Sequence, residues 1–221
     1  MPLDSRNLAQ RDSNWGLIAA LVDADGSAAH ALPRRLALRD APARDLADAV
    51  HALCWLHGRQ PGVIDHAGQA NAQPLAQDWL TEAAAGFAAE RSYLATLTAA
   101  AGHQPSTPGQ SESEAAVLGQ RHALDMLAQS ERAGCATGAA IALVLDWSAI
   151  RTTLDAAAQR FGLEPPPFAL PMNADLETVV LSLGHTPAIE RAMAFGAQQL
   201  LAQHRGLWCL LEARASARDR L

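Results

Sequence analysis

The sequence predicts an all-α protein, and three observations carry that prediction. Alanine and leucine dominate, aromatics make up only 5%, and the strand-favouring Val, Ile, Thr and Tyr are sparse. From Ala140 an apolar seam runs through Leu143, Trp147, Ile150, Leu154 and Ala157 to Phe161, at alternating steps of three and four residues. That spacing is one face of a helix, and the first half of the stretch is apolar nearly all round, as in a helix buried on most sides. Finally, long stretches of chain begin at good caps or prolines and stop at glycines.

Taken in order, the first dozen residues are polar and read as a frayed start. Ser13 and Asn14 cap a short helix from Trp15 to Ala24, which Gly26 ends. Residues 26–39 are ambiguous. Pro33 interrupts a helix there, whereas Leu36 and Leu38 alternate with polar neighbours like a strand. Asp40 then caps a helix with Pro42 in its first turn, running to Gly58, and Val63 to Ala67 adds one more turn. Four longer helices follow: Pro74 to Ala101, Ser111 to about Ala133, the seam helix from Gly134, and a last one from Thr186 to about Ala213. Ser111 and Glu114 form a capping-box pattern, and Thr186-Pro187 is a cap followed by a proline at the first helical position. Between the last two, Pro165-Pro166-Pro167 and Pro171 enforce an extended path before a short helix, Asp175 to Leu183. The expected architecture is one helical domain over 1–221. Its core is an up-down four-helix bundle (74–213), with N-terminal covering helices (1–73).

Gly86, Gly119, Gly138 and Gly196 fall inside helices, where each costs about 1 kcal/mol against alanine. Close approach of neighbouring helices is the plain reason for such glycines, and room for a ligand is the other.

Composition narrows the function classes. Every basic residue is arginine, the habit of a GC-rich bacterial coding sequence, and the net charge of -6 argues against nucleic acid as a partner. The tail cluster Arg214, Arg218, Arg220 is interleaved with Glu212 and Asp219 and reads as a solvated helix end. The uncharged run from Ala133 to Leu145 falls short of the roughly 20 residues that span a bilayer. Three scattered cysteines without a CxxC pair fit reduced thiols, so the expectation is a soluble cytoplasmic protein. Cys135 at a helix start is placed to favour a thiolate, but no histidine accompanies it, and a packing role suits it better. His30 and His103 sit in polar surroundings and read as surface residues.

The polar residues on apolar helix faces are the candidates for chemistry. Glu90 interrupts the seam of the 74–101 helix, His122 and Asp125 flank that of the next, Asp146 interrupts the buried run, and His204 sits inside the last seam. Near mid-helix in a bundle, these five fall in roughly one layer. Buried carboxylates and imidazoles must pair, bind a metal or change protonation state. Pairing of Glu90 and Asp146 with Arg91, Arg151 or His204 is the structural alternative to a site. If Asp146 is an incidental member of such a network, leucine in its place should be tolerated. A second cluster, His51, Cys54, His57, Asp65 and His66, carries a zinc-like His-x-x-Cys-x-x-His order. On a helix, however, steps of three fan those side chains over about 120°.

Four long helices presenting carboxylates or histidines inward resemble a ferritin-like bundle over about 74–213. The resemblance is one of architecture. The family's di-metal members carry Glu-x-x-His, whereas here the order around His122 is His122-x-x-Asp125, and Leu201 precedes His204 by one turn. The resemblance implies iron, manganese or zinc and oxidase or hydroxylase chemistry. The residues themselves predict no cofactor. They lead to a non-enzymatic helical scaffold that binds a partner or a small apolar ligand, with a homodimer as one form it can take.

Overall fold

The computed structural model describes residues 14–69, 74–104, 106–107, 109–171, 176–177, 180 and 186–220. Among them the secondary structure is helical, without a strand. The helices are α1 (Asn14–Asp25), α2 (Ala31–Leu36), α3 (Ala43–His57), α4 (Val63–Gln69), α5 (Pro74–Ala101), α6 (Gln110–Ala128), α7 (Cys135–Arg160) and α8 (Pro187–Arg218). A 3-10 turn, Ser27–Ala29, links α1 to α2.

The ambiguous stretch is helical. His30 caps α2 by accepting from the backbone N–H of Leu32, and Pro33 falls in the first turn, where a missing N–H breaks no helical bond. α6 starts differently from expectation. Its N-cap is Gly109 in the left-handed region (φ 74°), and the Ser111–Glu114 box is not formed; Glu114 instead accepts from Gln110. α6 also ends at Ala128, short of Ala133. The short helix expected at 175–183 lies largely outside the described residues. Thr186 caps α8 as its sequence implies, through Ile189 N–H.

α7 is the hub. It packs most extensively on α8 and also touches α1, α2, α3, α4, α5, α6 and the 3-10 turn. Ala139, Ala140, Ile141, Val144, Trp147, Ile150 and Leu154 are all fully buried. α3 and α4 lie inside: α5 packs mainly on them, and both reach α7. Leu53 and Ile64 are as buried as the centre of α7.

α7 and α8 approach each other closely, and two glycines make it possible. A Cβ on Gly138 would overlap the Met193 carbonyl, and one on Gly196 would overlap the Cys135 carbonyl. Each helix thus sits in a notch of the other. Gly86 is a similar notch against the Ala169 backbone, whereas Gly119 faces open space.

Candidate functional site

α3 ends at His57, and Gly58 N–H closes its last turn on Cys54 O. The ring of His57 is thereby placed against Phe87 of α5 and Trp147 of α7, both edge-to-face. His204, one turn beyond Leu200 in the α8 seam, faces it from the other side. The two Nε2 atoms are 2.9 Å apart. His204 Nδ1 lies 2.6 Å from Asp146 Oδ2. Ser27 holds the same carboxylate, donating from its backbone N–H to Oδ1 and from its hydroxyl to Oδ2, each at 2.6 Å. Trp208 Nε1–H completes the chain by donating to Ser27 Oγ at 2.8 Å. Ser27, Asp146, His57 and His204 are all buried.

Electrostatics set the protonation pattern. Burial alone would raise the Asp146 carboxyl, but hydrogen bonds from His204 and Ser27 more than reverse this, and its pKa lies below the usual value. Asp146 is therefore an ionised, acceptor-only group, and His204 Nδ1 carries a proton toward it. His57 is held well below the usual histidine value by burial, then by His204 and Arg91, so it is neutral. One proton bridges the facing Nε2 atoms. With both rings neutral it belongs to His57, and His57 Nδ1 bears a lone pair. A proton taken up at His57 Nδ1 lets the Nε2 proton pass to His204, and the positive charge then rests beside the Asp146 carboxylate.

His57 also lines a small surface cleft. Its other walls are Leu56, Pro61, Gly62, Val63, Phe87 and Leu124, with Arg59, Arg91, Arg121 and Asp125 as the charged members. The enclosed part holds about 10 Å³, room for one water-sized group. Arg91 is fixed on one side by the Asp65 carboxylate and by His57 O.

Glu90 belongs to a separate network. Its Oε2 accepts from Trp147 Nε1–H, and its Oε1 accepts from Arg151 and from Ala169 N–H. Arg151 also donates to Pro166 O, so the proline-rich connection is tied to α5 and α7. All four carboxylate oxygens of Glu90 and Asp146 are thus engaged by protein donors. Among the described residues no group of three or more His, Cys, Asp or Glu is arranged to hold a metal ion.

The five residues expected in one layer therefore divide. Glu90, Asp146 and His204 are buried, but Glu90 lies in one network and the other two in another. His122 is exposed and Asp125 half-buried, because the inner stripe of α6 is Val117, Leu124, Leu127 and Ala128. The second cluster also disperses, as its helical spacing requires. His51 bonds Gly102 O, Cys54 is a free half-buried thiol, His57 meets His204, Asp65 meets Arg91, and His66 is half-buried. Sequence reasoning missed Ser27, Trp208, Arg59 and Arg121. Ser27 lies in the stretch whose structure was ambiguous, and no local pattern connects it to Asp146.

The tail arginines are a further correction. Arg214 and Arg218 are not a solvated end; both donate to Asp48, and Arg218 also to Asp45 and Thr107. Burial would lower the pKa of Arg218, but Asp48 and Asp45 raise it further.

The fold and site define an all-helical protein with a buried, hydrogen-bonded chain of two imidazoles and a carboxylate, and no helix among the described residues is long and apolar enough to cross a membrane. The chain belongs to the family of unknown function DUF6975, whose model matches residues 22–219. No curated protein and no solved structure matches it.

Proposed function

We propose that this protein binds a small polar ligand in the His57 cleft, with His57 as an acid–base group backed by His204 and Asp146. The observation that carries this reading is the chain of short contacts from Asp146 through His204 to a neutral histidine lining the cleft. A lone buried imidazole is a poor base, since its cation is desolvated. Here the positive charge is passed to a ring already paired with a carboxylate. A general base needs such a partner and access to its substrate proton.

A pH series on wild type and His57→Gln tests it. Imidazole ¹⁵N spectra should show His57 and His204 titrating together, as one coupled unit. Unfolding free energy should fall as pH drops below about 6.5, because unfolding frees a histidine that the fold keeps neutral. His57→Gln should flatten that slope by up to about 1.4 kcal/mol per pH unit. Independent titration of the two rings, or identical slopes, would remove the relay.

A scaffold role has its own supporting observation. Along α6 an outer stripe, Ala115, Leu118, Gly119, His122 and Met126, is exposed, and beside it Met126 and Phe195 flank a groove of about 330 Å³. The occupant this face suits is a second copy of the chain. Antiparallel pairing of α6 brings the acidic first turns (Glu112) toward Arg132 of the other copy. Leu118→Glu should then convert a dimer to a monomer in size-exclusion light scattering; a monomeric wild type at high concentration counts against it.

A further inference from the structure

Three guanidiniums and one carboxylate line the His57 cleft. Asp65 already neutralises Arg91, yet the Nη1 group of Arg91 has no hydrogen-bond partner, although the residue is only 8% exposed. A buried, unsatisfied guanidinium N–H is costly and rare in native proteins, and it calls for an acceptor. Its other donors are already placed: Nη2 on Asp65, Nε on His57 O. The fork is therefore fixed, with the Nη1 nitrogen left over, in the cleft that His57 lines.

We propose, building on the acid–base reading of His57, that the cleft is a site for a small tetrahedral oxyanion, a free phosphate or a terminal phosphomonoester. One oxygen occupies the enclosed space, whose volume suits a single water-sized group, and accepts from Arg91 Nη1. The remaining oxygens lie toward Arg59 and Arg121, which supply planar donors suited to phosphate. Asp125, on the same wall, opposes an anion and favours a protonated oxygen facing it. His57 meets that ligand as acceptor or donor according to the state of the relay. The charged and titratable groups around His57 are Arg59 just beyond α3, Arg91 of α5, Asp65 of α4, Arg121 and Asp125 of α6, Asp146 of α7 and His204 of α8.

The test is titration of the full chain with inorganic phosphate, read by calorimetry and by the His57 ¹⁵N resonances, with sodium acetate and chloride at matched ionic strength as controls. Wild type should bind phosphate and shift the His57 signals, and acetate and chloride should not. Arg121→Gln, which disturbs no buried partner, should weaken binding about threefold to tenfold, and Asp125→Asn should strengthen it by a similar factor. Arg91→Lys retains the charge but loses the fixed fork, and should weaken binding further. If it fails to fold, the Arg121 and Asp125 pair still decides. A phosphomonoester that binds more tightly than phosphate assigns the ester as the ligand. Absence of phosphate binding, or binding indifferent to both α6 substitutions, overturns the oxyanion site. Coupled titration of His57 and His204 without phosphate binding would overturn this inference alone, whereas phosphate binding with independently titrating rings would overturn the relay alone.

Discussion

Asp146→Leu should lower the unfolding free energy by about 3–5 kcal/mol in a urea melt, making it one of the most damaging single changes in the chain. The sequence alone allows the opposite, since an incidental buried carboxylate often tolerates an apolar substitute. The structure shows why this one does not. Asp146 is the shared acceptor for Ser27 N–H, Ser27 O–H and His204 Nδ1–H. Leucine leaves these donors in an apolar setting without an acceptor, and a buried donor left unmade costs about 1–3 kcal/mol. Asp146→Asn keeps one acceptor oxygen but turns an NH₂ toward a donor, so it should fall between wild type and leucine. A leucine variant within about 1 kcal/mol of wild type would show that Ser27 and His204 find other partners.

Asp48→Ala should be comparably damaging, by about 3–5 kcal/mol, because a buried ion network loses its shared carboxylate. Asp48 is 1% exposed and receives donors from both Arg214 and Arg218, which are themselves covered. Asp45 compensates only Arg218. Adding Arg214→Leu to the alanine variant should recover part of the loss, since apolar replacement of a whole buried pair is often near neutral. Thermal melts of Asp48→Ala, Arg214→Leu and the double variant decide it; if the double variant is the less stable by the full sum of the single effects, the arginine has a role apart from Asp48.

Much of the fold was legible because its signals are local. Thr186-Pro187, Pro74 with Gly102, and the seam of α7 each act within a few turns, and the helices follow them. Pro33 misled because a proline breaks a helix interior but suits its first turn, and nothing nearby says which applies. The Ser111 box failed because Gly109, free to take a positive φ, starts the helix earlier. The candidate site was legible only in its parts. Asp146, His204 and His57 stand out as polar residues in apolar settings. Pairing of Asp146 with His204 was among the alternatives and is formed, but the joining of His57 and Ser27 to that pair was not legible, since His57 and His204 are 147 residues apart and Ser27 and Asp146 are 119 apart. The tail arginines were misread for the same reason: their carboxylate lies 166 residues away.

Those separations bear on how the protein is made. A ribosome delivers the chain from one end, and domains close as their contacts become available. Here the earliest elements are completed by the latest: the turn at Ser27 waits for α7, and α3 waits for α8 to bring His204 and Arg214. Until α8 emerges, the face of α7 notched at Gly138 has no cover, and the carboxylates of Asp48 and Asp146 lack an arginine and an imidazole. Loss or delay of α8 would thus leave the Gly138 notch, the Asp48 network and the Asp146 network open at once.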